Sequence, residues 1–361
     1  MPQSFRSSSQ PYVSLSTKSF TTEDTKDAEP KFSTPSKIPA HSPGCPGRIR
    51  RELRQDDHLA LWSATKDAQS VIPLFIFDET FRESSVCRQL VILDGLLDLR
   101  SSLRKLGGEL FLRSGEPGKI LSSILGETNA AGVYCTKEVH PELRLRDEAL
   151  RSVVQRSGKI WRVFNDHVLF GEEEILSKAA SRPFTVFTAY KNAWKSRLDE
   201  IPPSLPRLRA IRVPAISPGE LPPAANRAFK GAPVVRSIGG ETEGNRALAV
   251  FLKKRVDAYG DQRDFPASQG TSRLSHHLAS GSLGIRTVYH ALRKTSSTRI
   301  GSRGGGDTFL NELVWREFYY QILANFPRVL RTSFRPEFDR LKWSSRPALF
   351  DSWNKQYQLH P

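Results

Sequence analysis

Between about Arg50 and Gly171 the chain alternates short apolar runs with amphipathic stretches, and that rhythm restricts the fold more than any other feature. The runs 71-VIPLFIF-77, 109-ELFLR-113, 131-AGVYC-135 and 160-IWRVF-164 read as strands. Segments of 3.6-residue period lie between them: 86-VCRQLVILDGLLDLRSSLRKL-106, 117-PGKILSSIL-125 and 142-ELRLRDEALRSVVQRS-157. Pro117 suits a first helical turn, and Gly107-Gly108 closes the helix before it. Strand–helix alternation at this spacing predicts a doubly wound parallel α/β domain, helices on both faces, over residues 46–180.

The remainder has a different texture. Residues 181–240 contain the proline-rich stretch 201-IPPSLPRLRAIRVPAISPGELPPAANR-227, which lacks periodicity and is expected to run extended over the surface as an interdomain linker. Residues 241–361 read as all-α, with helical patterns at 241–259, 273–294 and 307–326 and a Gly/Ser-rich loop at 295–307. A length of 361 residues fits roughly two domains. Residues 1–45 are rich in Ser, Thr and Pro, with no acidic residue before Glu23. They fit a disordered tail, an over-extended gene start or an organelle transit peptide.

Composition excludes several classes. The longest apolar stretches fall short of the ~18–20 residues a membrane-spanning helix needs, so no membrane partner is expected. Cys45, Cys87 and Cys135 are scattered and odd in number, against a disulfide scaffold or a CxxC metal site. No metal is expected, and a reducing compartment is. Adjacent His276 and His277 diverge by about 100° on a helix and cannot chelate one ion. A net charge of +16 favours an anionic partner, nucleic acid first.

Two stretches carry chemistry. In 259-YGDQRDFPASQGTSRLSHHLASG-281, Thr271 and Ser272 sit just ahead of a helical pattern. Their hydroxyls, free backbone N–H groups and Arg273 make a seat for phosphate oxygens, and an ordinary N-cap equally well. In 310-LNELVWREFYYQIL-323, Glu312, Trp315, Arg316 and Tyr319 stand at i, i+3, i+4 and i+7 and share one face, while Leu310, Leu313, Val314 and Phe318 point elsewhere. An acid, an indole, a guanidinium and a phenol on one stripe suit a pocket that receives a base. Gly304-Gly305-Gly306 reads as a loop without a phosphate-cradle signature, and Asp57 and His58 as a helix cap. His277 is either near a bound cofactor or solvated.

The run from Tyr259 to Gly281 closely resembles the flavin-binding signature of the photolyase/cryptochrome family, and its twelve-residue Tyr-to-Thr spacing resembles class I cyclobutane pyrimidine dimer photolyases. The stretch 310–323 resembles that family's substrate-facing helix, 183-PFTVFTAYKNAWKSRL-198 the segment leaving its α/β domain, and 50-RRELRQDDHLAL-61 its N-terminal Arg-Asp-Leu-Arg run. The resemblance implies that Tyr259, Thr271, Ser272, Arg273, Leu274 and Ser275 hold FAD, with Phe309 beside it. Glu312 would then hydrogen-bond a pyrimidine dimer, Trp315 would form the wall on which the flipped dimer stacks, and Arg316 and Tyr319 would lie near flavin and DNA. Trp343 would be the outermost tryptophan of an electron-transfer chain.

The chain also departs from the family's pattern. Phe309 stands where dimer-repairing relatives usually carry tryptophan. The first strand is reduced to 46-PGRIRR-51, and because a central parallel strand is buried on both faces, this edge of the sheet is expected to be imperfect. The family's helical domain continues past the position of Pro361, so the resemblance implies an incomplete FAD domain. An antenna chromophore, folate or deazaflavin, is implied but unassigned: Glu142 is a candidate folate contact, in a stretch that aligns with a gap. The expectation is a truncated, monomeric, non-secreted class I photolyase-like enzyme, cytoplasmic if bacterial and otherwise nuclear or organellar. It would use FAD and light to repair pyrimidine dimers in DNA. A cryptochrome-type photoreceptor and an inactive gene fragment are the alternatives.

Overall fold

In β2 (Val71–Phe77) every residue is buried, so both faces of the strand must be covered. Alternate side chains divide between two cores, as strand geometry requires. Ile72, Leu74 and Ile76 join Leu121, Ile124, Val133, Leu150 and Val154 on one side. Val71, Phe75 and Phe77 join Leu61, Leu93, Leu96, Leu99 and Leu103 on the other.

The computed structural model describes residues 45–49, 52–177, 181–222, 239–295, 304–342 and 346–356. The sheet is formed by β1 (Cys45–Ile49), β2, β3 (Phe111–Ser114), β4 (Gly132–Thr136) and β5 (Ile160–Phe164), in the order β3-β2-β1-β4-β5 and parallel throughout. Helices α1 (Leu59–Asp67), α2 (Glu79–Arg82), α3 (Val86–Lys105), α4 (Pro117–Thr128) and α5 (Pro141–Arg156) connect the strands. Chain order on either side of β1 reverses, which is the doubly wound topology.

β1 corrects one expectation. Far from being an imperfect edge, Cys45–Ile49 is the central strand, with Cys45 opposite Val71, Ile49 opposite Phe75 and Gly47 opposite Tyr134. Side-chain periodicity reports burial, but ladder bonds use backbone N–H and C=O groups that almost any sequence supplies. The proline-rich connection also departs from expectation. Residues 201–222 form no long element, yet they lace into the α/β half rather than merely crossing its surface. Ile211 is buried in the α1/α3 core, Ile211 N donates to Leu106 O at 2.8 Å, Val71 N to Arg212 O at 2.8 Å, and Leu112 N to Pro218 O at 2.7 Å.

The helical half comprises α6 (Phe187–Lys195), α7 (Glu241–Lys254), α8 (Tyr259–Gln262), α9 (Ser275–Ser280), α10 (Ile285–Arg293), α11 (Gly305–Asn325) and α12 (Pro347–Gln356). It has its own core, including Tyr190, Trp194, Phe251, Val288, Leu310, Val314 and Phe318. The helix expected over 273–294 is two helices, broken where Gly281 takes a left-handed φ of 66°. No described helix is long and apolar enough to cross a membrane.

Candidate functional site

The site is organised by α11, and its start is fixed by a glycine. A Cβ on Gly305 would sit 2.0 Å from the Val256 carbonyl oxygen, so only glycine lets the helix approach the turn ahead of α8 this closely. Gly305 and Gly306 are therefore buried helical residues, not the loop their composition suggested.

From there α11 buries Phe309, Leu310, Leu313, Val314, Phe318 and Ile322. On its other side Glu312 forms an ion pair with Arg263, which follows α8. That hydrogen bond raises the Arg263 guanidinium, whose carbon lies 5.8 Å from the centre of the Tyr259 ring. The Tyr259 phenol is itself pushed up by burial and then by the Glu312 charge. Trp315 stacks on Phe187, with ring centres 3.4 Å apart and planes 6° from parallel. Tyr319 stacks on Trp315 at 5.6 Å and is largely exposed. Phe309 is buried, 4.7 Å from Phe251 and 5.3 Å from Tyr259.

Arg316 does not join the Glu312–Trp315–Tyr319 stripe in the way its spacing suggested. Its guanidinium donates to His167 O at 2.5 Å, donates to the Tyr320 hydroxyl at 3.3 Å, and lies 4.6 Å from the Tyr320 ring centre. A long side chain one residue round the helix reaches a backbone carbonyl on a segment that no local pattern could place beside it.

In the Tyr259–Gly281 run, Thr271 and Ser272 sit just ahead of a helix, as expected, though the helix begins two residues later than the pattern at 273–294 suggested. α9 starts at Ser275, so Thr271 and Ser272 lie in the turn before it. Ser272 Oγ accepts from Leu274 N at 3.4 Å, and Arg273 holds a left-handed φ of 55°. Arg255 pins the turn by donating to Gln269 O and Thr271 O, each at 3.4 Å. Thr271, Arg273 and Ser275 are exposed, Ser272 is half-buried, and Leu274 is in the core. Asn311 Oδ1, on α11, is buried with no hydrogen-bond partner among the described residues. Three hydroxyls and a cation within five residues suit a pyrophosphate, and an orphaned buried acceptor suits a ligand N–H. Thr271, Ser272, Arg273 and Ser275 fit the phosphate-bearing half of FAD. His277 is not solvated: it is buried, its Nδ1 lies 2.9 Å from Ser282 Oγ, and burial, then His276, pushes its pKa down to about 4. Trp343 lies outside the described residues.

Several charged residues that sequence reasoning left without a role form a buried network. Asp166, just after β5, pairs with Arg54 at 2.6 Å and Arg286 of α10 at 2.7 Å. Burial opposes its charge, but Arg54, His58 and Arg286 together hold the Asp166 carboxyl below the usual range. Asp57, expected to cap α1, instead pairs with Arg286 at 3.1 Å from a left-handed φ of 52°, and His58 alone is the cap. Next along the chain, His167 Nε2 lies 3.1 Å from Glu52 Oε1. Glu317 of α11 then accepts from Leu169 N, Phe170 N and Trp194 Nε1. Residues 166–170 are thus gripped by the chain before α1, by α10 and by α11. Glu142 is exposed and lies 3.7 Å from Arg331.

Residues 49–209 match the DNA photolyase model, and residues 309–356 match the FAD binding domain of DNA photolyase. The chain belongs to the DNA photolyase family. Curated photolyase relatives include a deoxyribodipyrimidine photo-lyase of Synechococcus, 27% identical, covering 86% of this chain and 67% of its own length. Another is that of Agrobacterium fabrum, 29% identical, covering 87% and 66%. A crystal structure described as a bacterial class III photolyase from Agrobacterium tumefaciens superimposes with a TM-score of 0.77 at 28% identity, over 90% of this chain and 67% of that one. A Synechocystis cryptochrome, at 20% identity and a TM-score of 0.74, shares the fold. The chain spans about two thirds of the length of the photolyase relatives it matches. The photolyase fold, a parallel α/β domain beside a helical FAD-binding domain, is the one described above.

Proposed function

We propose that the chain acts in light-dependent repair of cyclobutane pyrimidine dimers in DNA, with FAD as its cofactor and a class I photolyase-type site. The observation that carries this reading is the packing of α8 on α11, which joins the flavin-type run to the substrate-type face through the Arg263–Glu312 pair. Thr271, Ser272, Arg273 and Ser275 would bind the FAD phosphates, with Tyr259 packed beneath and Phe309 behind it. Reduced FAD, when bound, supplies the photoexcited electron that opens the cyclobutane ring and receives it back.

The chain's own residues bind and orient. Arg263 fixes the Glu312 carboxylate, which would accept a hydrogen bond from the imide N–H of a dimer taken out of the stack. Trp315 would stack against it, at ~1–3 kcal/mol per base. Tyr319, exposed beside Trp315, would meet the flanking strand. The basic surface would grip phosphates, with an affinity that falls as salt rises. Arg316 is engaged by His167 O and would act on DNA only after release.

The test is repair itself. The full chain is reconstituted with FAD, reduced, mixed with a dimer-bearing oligonucleotide and illuminated with blue light, and the remaining dimers are counted. Loss of dimers, abolished in Trp315→Ala, supports the reading; flavin-loaded protein that binds but never repairs overturns it. Photoreduction of the bound flavin without repair would instead favour a cryptochrome-type photoreceptor, a reading consistent with phenylalanine at position 309.

A further inference from the structure

Phe187 is the first residue of α6, and its ring covers Trp315 almost face to face, 3.4 Å between centres and 6° between planes. That is the separation at which a base would stack, so a side chain of this protein occupies a seat on the indole. Phe318 meets its edge, ring centres 5.8 Å apart, but the contact with Trp315 itself is not the preferred one. Aromatic pairs disfavour a full sandwich relative to offset or edge-on contacts. Lys191 Nζ, 5.9 Å from the Phe187 ring centre, adds only a weak cation–π contact. The helix start is also soft: the N-cap residue, Val186, makes no side-chain capping bond and is 62% exposed. Farther along the same face, Tyr190 and Trp194 are buried, and Trp194 Nε1 donates to Glu317 at 2.8 Å. The body of α6 is anchored by buried side chains and a hydrogen bond, its first turn by the half-buried Phe187 ring contacts alone.

We propose that Phe187 is an aromatic stopper, occupying the stacking seat on Trp315 until an extrahelical base displaces it. This rests on the reading of Trp315 as the wall for the flipped dimer. The stopper sets a threshold: a base that stacks poorly, or must first be pulled from an intact duplex, does not displace the phenyl ring.

Binding in the dark by the full chain tests this, with a dimer-bearing oligonucleotide and its undamaged counterpart as probes. Phe187→Leu keeps apolar volume for the core and Phe187→Ala removes it. Both are expected to bind the dimer-bearing strand about three- to tenfold more tightly than wild type, the ring's weak hold having been removed. Unchanged or weaker binding by Phe187→Leu overturns the stopper. Trp315→Ala separates the two ideas. If it keeps wild-type preference for the dimer, Trp315 is not the wall and the stopper falls with that reading. If the preference is lost while Phe187→Leu gains nothing, the stopper alone falls. Acrylamide quenching gives a readout without DNA: Phe187→Leu should raise tryptophan quenching, with no such rise in a Trp315→Ala background. Equal quenching changes in both backgrounds would overturn the stopper.

Discussion

The indole N–H of Trp194 donates to the Glu317 carboxyl group at 2.8 Å, and that bond fixes how α6 lies on α11. Trp194 and Phe187 are two turns apart on α6, so the same contact sets the position of the ring that meets Trp315. Glu317 is fully buried, and burial pushes its pKa up to about 7, against the opposing hydrogen bonds from Leu169, Trp194 and Phe170. Glu241, accepting from Gln55 N and Asp56 N, is likewise raised by burial to about 7.

These shifts have a sign. A carboxyl group raised from 4.5 to about 7 contributes stability that is complete below pH 4.5 and lost as pH rises through 7. His58 and His277, lowered by burial from 6.5 to about 4, contribute stability that is present above 6.5 and lost as pH falls towards 4. The two trends oppose each other between pH 4.5 and 6.5, so urea midpoints of the wild type should change little there. Glu317→Gln should leave a net rise in stability with pH across that window. A midpoint for the variant that falls with pH would contradict the assignment.

Arg263→Gln should free the Glu312 carboxyl group while leaving it in place. Loss of one charge-assisted hydrogen bond contributes ~1.5–3 kcal/mol. Affinity for a dimer-bearing oligonucleotide should drop about tenfold or more, with little change for undamaged DNA. Fluorescence anisotropy with both probes checks this.

Arg286→Met should destabilise the protein strongly. It removes the guanidinium that pairs with both Asp57 and Asp166, and of the two arginines on Asp166 leaves only Arg54. Breaking buried pairs in this way costs ~3–5 kcal/mol. Chemical denaturation measures the loss, and a change below ~1 kcal/mol would show that the network is not closed.

Gly305→Ala tests the seat of α11. A methyl group 2.0 Å from the Val256 carbonyl oxygen forces the helix away from α8. The expected loss is ~1–3 kcal/mol from overpacking, with a parallel loss of dimer preference because Arg263 and Glu312 are drawn apart. Thermal unfolding together with the anisotropy assay separates the two effects.

The strand β2 was legible as an unbroken apolar run and the helix α3 by its 3.6-residue period, because burial writes itself into the pattern of apolar side chains. β1 was not, since its membership rests on backbone bonds to β2 and β4. The stripe Glu312–Trp315–Tyr319 was legible because i, i+3 and i+7 on a helix share a face regardless of what surrounds them. The partners of α11's acids were beyond any local pattern: Arg263 lies 49 residues from Glu312, and Leu169 lies 148 from Glu317.

Sequence by itself therefore determined the doubly wound sheet, the helical half and the kinds of side chain that α11 presents. Tertiary structure decided which of them remain available. It turned Arg316 towards His167, drew Asp57 into a pair with Arg286 and laid Phe187 over Trp315. Short-range periodicity follows from covalent geometry, whereas charge pairs and ring stacks form wherever folding brings unmet groups within reach, at sequence separations no local signal encodes.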